Sequence, residues 1–163
     1  MSRVRDPHWG ALALLFAATA LTAGIGAYAS IDAKTFYGSL TQPAWAPPPT
    51  VFGPVWTLLY LMRLAAAWGV VRRQGTAASR PAMTLFGAQL VLNAAWTWFF
   101  FHWHVGALAF VEVLVLLITV ALTTRAFWRV RPLSGWLMLP YLAWVSFATA
   151  LTSAMWQLNP GVL

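Results

Sequence analysis

The sequence has no cysteine and only three acids among its 163 residues, Asp6, Asp32 and Glu112. The missing thiols exclude disulfides, thiolate metal sites and cysteine nucleophiles, and say nothing about compartment. So few carboxylates leave little for a metal site or for paired acid–base hydrolysis. Charged residues of both signs make up only 8% of the chain, against about 25% in soluble domains. Apolar residues fill the space, at 61% hydrophobic with a mean hydropathy of +0.71. A chain of this size cannot hide that much apolar surface in its own interior, so lipid is the solvent it calls for. The net charge of +7 does not point to nucleic acid, because the basic residues stand in short clusters between apolar runs. Phosphate-binding glycine loops, nucleophile elbows and His/Glu metal pairs are also missing. His8, His102 and His104 fall at expected helix ends, which excludes neither contact with solvent nor weak metal contact but does argue against resident haem ligation. No cofactor and no metal are expected.

Five apolar runs, at roughly 9–30, 51–71, 82–101, 106–127 and 134–157, are each long enough to cross a bilayer, which takes about 20 helical residues. They read as an all-α membrane protein, a single five-helix transmembrane domain over 1–163. No run alternates like a barrel strand. The breaks carry loop chemistry: prolines from Pro43 to Pro49, Arg72-Arg73-Gln74-Gly75, Arg80-Pro81, and Arg129-Val130-Arg131-Pro132. Arg3, Arg5, Arg72, Arg73, Arg80, Arg125, Arg129 and Arg131 fall on one side, and only Lys34 on the other. The positive-inside bias therefore predicts a cytoplasmic N-terminus and an outer C-terminus, in a bacterial inner membrane or one like it. Arg3, Arg5 and Ala27-Tyr28-Ala29 imitate a cleavable signal peptide. The apolar stretch between them is longer than a usual signal core, so it is read as a retained helix. Five helices do not divide into the two halves of an inverted-repeat transporter.

Polar groups inside lipid are costly and mark either helix–helix glue or a site. Gln89 and Asn93 share a face of the third span with Trp96 and Thr97. Interhelical hydrogen bonding and a polar patch in a ligand cavity both fit them. On the second span, Trp56, Tyr60 and Arg63 share a face. Arg63 is roughly 18 Å from the outer end at ~1.5 Å per residue, and Glu112 about 9 Å below the outer end of the fourth span. An Arg63–Glu112 interaction, or an anion shared between them, is the expectation. Pro140 removes a backbone bond in the fifth span and permits a kink, with Trp144 beside the small Ala148 one turn on. Small residues also form stripes: Ala13, Ala17, Ala20, Gly24 and Ala27 on the first helix, and Ala143, Ala150 and Ala154 on the fifth. Such stripes suit close packing, within one chain or in a dimer.

The first outer loop, roughly 31–50, holds four prolines and an apolar side of Phe36, Tyr37, Leu40 and Trp45. It is expected to fold as a lid with Trp45 tucked down; an aromatic anchor at the membrane interface is the competing reading.

At these residues the chain resembles the TspO/translocator-protein family, also called tryptophan-rich sensory proteins and peripheral-type benzodiazepine receptors. The resemblance is carried by Tyr37-Gly38-Ser39-Leu40 and Pro43-Ala44-Trp45-Ala46-Pro47-Pro48, then by Phe52-Gly53-Pro54-Val55-Trp56-Thr57-Leu58-Leu59-Tyr60. It continues in Gln89-Leu90-Val91-Leu92-Asn93-Ala94-Ala95-Trp96 and in Pro140-Tyr141-Leu142-Ala143-Trp144-Val145-Ser146-Phe147-Ala148. It implies a five-helix bundle, often dimeric, with a cavity under the first loop for tetrapyrroles such as protoporphyrin IX or haem, for sterols in some members, and for benzodiazepine-type drugs. By motif, the pocket positions are Trp45, Trp56, Asn93, Trp144 and Ala148; the shared helix faces add Tyr60, Gln89 and Trp96. Flat macrocycles stack on tryptophan while their carboxylates seek donors such as Asn93 or Arg63. The sterol motif of animal members is not matched, since Ser153 and Gln157 occupy its positions, so a sterol partner is not expected. Thr152 replaces a common Asn, and Arg63 stands where an uncharged residue is usual.

Three functions follow. One is tetrapyrrole binding for transport, sensing or regulation of porphyrins. Another is light- and oxygen-dependent porphyrin degradation, with Trp56 and Trp144 as redox partners. The last is a structural helper that binds lipid and partner proteins. The eleven tryptophans divide accordingly. Trp9, Trp68, Trp103, Trp128, Trp136 and Trp156 sit at helix ends and suit an interfacial belt. Trp45, Trp56, Trp96, Trp98 and Trp144 remain for stacking.

Overall fold

A computed structural model describes residues 8–163. Arg3 and Arg5, counted above in the charge bias, lie outside the described residues. The elements are α1 (Trp9–Ala29), α2 (Ala33–Ser39), α3 (Phe52–Gln74), α4 (Arg80–Thr97), α5 (Gly106–Val130) and α6 (Pro132–Leu158). A 3₁₀ turn at Pro49–Val51 leads into α3, and a π-helical turn at Trp98–His102 extends α4. All but α2 are long and apolar enough to cross a membrane. The five expected spans are thus present with ends that differ by a few residues, and α2 is an additional short helix inside the first loop.

The helix ends follow local chemistry. Pro81 and Pro132 sit in the first turns of α4 and α6, where proline's missing N–H costs nothing. At the end of α3, Gly75 takes φ 82° and donates its N–H to the Val71 carbonyl at 2.7 Å; glycine enters that left-handed region without Cβ strain. After the π turn, His104 adopts φ 55°, closing the short α4–α5 connection. α6 runs continuously through Pro140.

The spans pack in a ring in the order α1, α4, α5, α6, α3, with α3 also touching α5 across the middle. Buried residues on α5 and α6 recur every three or four positions, for example Ala109, Glu112, Val113, Leu116 and Val120, the stripe of an interior helical face. Lipid supplies little hydrophobic drive between spans, so close van der Waals fit must hold them. Gly135 of α6 lies so close to the Trp128 ring that a Cβ there would come within 2.5 Å of it. Gly106 of α5 is similarly pressed against Trp156, at 2.7 Å. α1 is peripheral: only Thr19, Thr22 and Ala29 are buried on it. Its small stripe of Ala13, Ala17, Ala20, Gly24 and Ala27 is exposed, so it does not serve packing within this chain. On α6, Ala143 and Ala150 are exposed as well.

Most of the helix-end tryptophans pair. Trp9 stacks on Trp68 at 5.9 Å, Trp128 lies 4.9 Å from Trp136, and Trp156 stacks on Phe110 at 6.0 Å. Arg72 rests over the Trp68 ring at 4.8 Å. One end of the bundle therefore gathers Trp68, Trp128 and the arginines of the α3–α4 and α5–α6 turns. The opposite end carries α2, the α4–α5 turn and the end of α6.

Candidate ligand-binding site

The segment between α1 and α3 is fastened at several points. Phe36 of α2 stacks on His104 at 3.9 Å, and Tyr37 meets Phe52 of α3 edge-on at 5.4 Å. The Tyr37 hydroxyl donates to the Pro47 carbonyl at 3.0 Å, and the Gln42 amide donates back to the Tyr37 carbonyl at 2.7 Å. Burial raises the Tyr37 phenol above its ordinary pKa, which keeps it a donor. Thr41 is held by Asn159, just past α6, through two hydrogen bonds. Four prolines restrict the chain, and its apolar side chains turn onto the bundle. The lid-like fold expected of this loop is present, but Trp45 is not tucked down. It is 50% exposed, meets Phe147 edge-on at 5.7 Å, and lines neither of the hollows described below.

Beneath α2 lies a cavity of about 380 Å³ between α1, α3 and α4. Its walls include Tyr37, Phe52, Trp56, Tyr60, Trp96 and Phe101, with small residues Ala23, Gly26 and Ala27 on the α1 side. The i, i+4 spacing on α3 puts Trp56 and Tyr60 side by side, 5.7 Å apart. Asn93 of α4 faces them, and its Oδ1 accepts the Tyr60 hydroxyl at 3.0 Å. Trp96, one turn on, stacks on Phe100 at 5.7 Å. Lys34 borders the cavity from α2 and is exposed. The sequence reading assigned it only to topology, because nothing in the sequence told that α2 would turn it inward.

Trp144 and Ala148 line a different hollow of about 20 Å³, toward α6. Tyr37, Phe52, Trp56, Trp96 and Phe101 belong to the walls of both. The residues expected to form one pocket are thus divided by an aromatic partition, with Trp144 edge-on to Phe52 at 5.9 Å. Phe52 and Phe101, absent from the sequence reading of the site, belong to this partition, and Phe147 lines only the small hollow. Trp98 packs instead against Tyr28, His102 and Trp103.

Gln89 is fully buried, borders neither hollow, and neither its Oε1 nor its Nε2 has a hydrogen-bond partner. Asn93, one turn away, by contrast lines the large cavity and makes an interhelical hydrogen bond. The direct Arg63–Glu112 contact is also not made: both Glu112 oxygens and all three Arg63 nitrogens lack a partner. The Arg63 guanidinium lies instead against two rings, its Cζ 4.2 Å from the Tyr60 centroid and 4.7 Å from that of Tyr141. Tyrosine faces attract a cation where no water reaches. Among the described residues, no group of three or more His, Asp or Glu side chains is placed to hold a metal ion.

The family comparison agrees with these features. The TspO/MBR family model matches residues 11–157. The "Tryptophan-rich protein TspO" of Chlorobaculum tepidum is 38% identical over 131 residues, covering 78% of this chain and 82% of that protein. "Protein CrtK" of Rhodobacter capsulatus is 36% identical over 154 residues, 91% of this chain and 92% of its own length. The human "Translocator protein" is 37% identical over 128 residues, covering 77% and 76%. With five apolar spans and a match over nearly its whole length, the chain is an integral membrane protein and belongs to the TspO/MBR family.

Proposed function

We propose that this protein binds a tetrapyrrole, protoporphyrin IX or haem, in the cavity beneath α2, for transport, sensing or regulation of porphyrins. The observation that carries this reading is the cavity itself: about 380 Å³ walled by Trp56, Tyr60, Trp96 and Phe101 around the single amide of Asn93. That volume lies at the lower end of the ~300–1,000 Å³ range of small-molecule sites. A full macrocycle needs more room, and the shared aromatic partition supplies it. Rotation of Trp56 or Phe52 joins the cavity to the hollow at Trp144 and Ala148. Large rings stack on the tryptophans, and the polar edge finds Asn93 or Lys34.

The arginine-rich end faces the cytoplasm on this reading, since Arg72, Arg73, Arg80, Arg125, Arg129 and Arg131 cluster there. A homodimer through the exposed small-residue face of α1 completes it, since close helix contact in lipid needs such residues.

Titration of the purified protein with protoporphyrin IX in the dark tests the reading. The expected result is saturable quenching of tryptophan fluorescence and a shifted porphyrin absorption band at micromolar ligand; the absence of both changes overturns the reading. The same sample under light and oxygen tests the second reading, porphyrin degradation. Trp56 borders both hollows, so a ring joining them would lie against it. Bleaching that is lost in Trp56→Phe and Trp144→Phe supports an enzyme, and stable porphyrin bands support binding alone.

A further inference from the structure

Next to the cavity-lining Tyr60 stands a buried cation that makes no ion pair or hydrogen bond among the described residues. Arg63 is fully buried in the middle of α3, and its Nε, Nη1 and Nη2 have no hydrogen-bond partner. Its Cζ lies over two aromatic rings, 4.2 Å from the Tyr60 centroid and 4.7 Å from that of Tyr141. The five N–H donors of a guanidinium, however, point outward in its plane. Stacking attracts the charge and leaves those donors unused, a costly state inside a bundle. Other unpartnered polar atoms share this buried layer: the Tyr141 hydroxyl, the Gln89 amide and Asn93 Nδ2. Glu112 makes no ion pair with Arg63, so its carboxyl does not occupy the fork.

Tyr60 connects this layer to the cavity. Its ring lies on Arg63, its hydroxyl donates to Asn93 at 3.0 Å, and both Tyr60 and Asn93 line the cavity. The hydrogen bond to Asn93 fixes the Tyr60 hydroxyl at the cavity wall. A carboxylate that enters from the cavity as Tyr60 swings away would meet the donors of Arg63 and the unpartnered Nδ2 of Asn93. A planar, two-oxygen anion matches the fork of an arginine bidentately.

We infer that Arg63 is the carboxylate-recognition residue of this protein: it receives an acid group of the bound ligand after Tyr60 swings away from Asn93. The inference rests on the tetrapyrrole reading above and names which chemical feature of the ligand is read. Arg63 provides specificity for acidic ligands, while the tryptophans provide sequence-tolerant ring stacking.

The test compares protoporphyrin IX, a diacid, with its dimethyl ester, which has the same ring and no ionised carboxyl. Affinity is read from the shift of the porphyrin absorption band in wild type, Arg63→Gln and Arg63→Lys, each first checked for helical circular dichroism and its melting. Wild type is expected to prefer the diacid by about tenfold or more, the ratio one charge-assisted hydrogen bond contributes. Arg63→Gln is expected to bring the diacid down to the ester's affinity and leave the ester unchanged. Arg63→Lys keeps the charge without the fork and is expected to retain part of the preference, which also covers the case in which the Gln variant does not fold. Equal binding of diacid and ester by wild type overturns the inference and leaves the tetrapyrrole reading standing. A preference that survives in Arg63→Gln overturns it as well, and a matching Lys34→Gln titration then shows whether the mouth of the cavity reads the acid. Failure of wild type to bind either compound overturns both.

Discussion

The side chain of Asn159 grips the backbone of Thr41 in both directions. Its Oδ1 accepts the Thr41 N–H at 2.8 Å, and its Nδ2 donates to the Thr41 carbonyl at 3.0 Å. The same Nδ2 donates to the Met155 carbonyl at 2.7 Å, so the amide is itself fixed to the last turn of α6. Two segments 118 residues apart are thereby joined, and the cover of the cavity is anchored to a helix on the far side of the ring. Asn159 is 8% exposed, so water does not replace these bonds readily.

Asn159→Ala should release the loop. Loss of a buried amide that leaves its partners unsatisfied costs about 1–3 kcal/mol. The expected outcome is a lower melting temperature in detergent and faster protease cleavage within 41–50, with helical content retained. Unchanged cleavage would show that the other fastenings, Phe36 on His104 and Tyr37 on Phe52 and Pro47, suffice to hold the cover.

Filling each hollow separately distinguishes them. Ala23 borders the large cavity, so the ring of Ala23→Phe has free space to enter. It is expected to abolish porphyrin binding with little change in melting temperature. Ala148 borders only about 20 Å³, too little for a phenyl ring. Ala148→Phe should therefore lower the melting temperature through overpacking, by about 1–3 kcal/mol of stability. A porphyrin titration beside thermal unfolding of both variants checks the pair.

Two glycine substitutions should differ in sign. A Cβ at Gly135 would come within 2.5–2.8 Å of Trp128 atoms, ring and Cβ. A packed indole between two helices has little room to give way, so Gly135→Ala is expected to destabilise by about 1–3 kcal/mol. Gly87 of α4 has nothing within 4 Å of its Cβ position, and Gly87→Ala should be neutral or stabilising by up to about 1 kcal/mol through helix propensity. Unfolding midpoints of the two variants in one detergent provide the comparison.

Tyr37 gives the loop an alkaline limit. Burial raises its phenol above the ordinary value of 10.0. Below that ordinary value both folded and unfolded chains keep the proton, and the contribution is complete. As pH rises past it the unfolded chain ionises first, so the folded state loses stability until the folded phenol ionises too. Tyr37→Phe should begin less stable, through loss of the bond to Pro47. It should also fall less between about pH 9 and about pH 11. Melting temperatures across that range for both proteins test the sign.

The absence of native cysteine makes the proposed dimer directly testable. Ala20 lies in the exposed small-residue face of α1. Ala20→Cys is expected to give a disulfide-linked dimer under mild oxidation in membranes, whereas cysteine in place of the exposed Leu122 of α5 should not. Equal crosslinking at both positions would argue for random collision.

Much of this protein was legible from its sequence alone. Apolar runs, arginine clusters and prolines determine five spans and their breaks, because the bilayer accepts only backbones that satisfy their own hydrogen bonds. The 3.6-residue period determines that Trp56, Tyr60 and Arg63 share one face, and that Gln89, Asn93 and Trp96 share another. Which neighbour each face meets was decided only by tertiary packing. The ring order puts Asn93 opposite Tyr60 and leaves Gln89 without a partner one turn away. It turns the alanine stripe of α1 outward, because α1 touches the ring at its edge. It also leaves Arg63 and Glu112 unpaired and lays Tyr141 of α6 against the cation, a contact that no spacing along either helix encodes. Period and composition are local properties of a helix. The partner across each interface depends on how all five helices fit together at once.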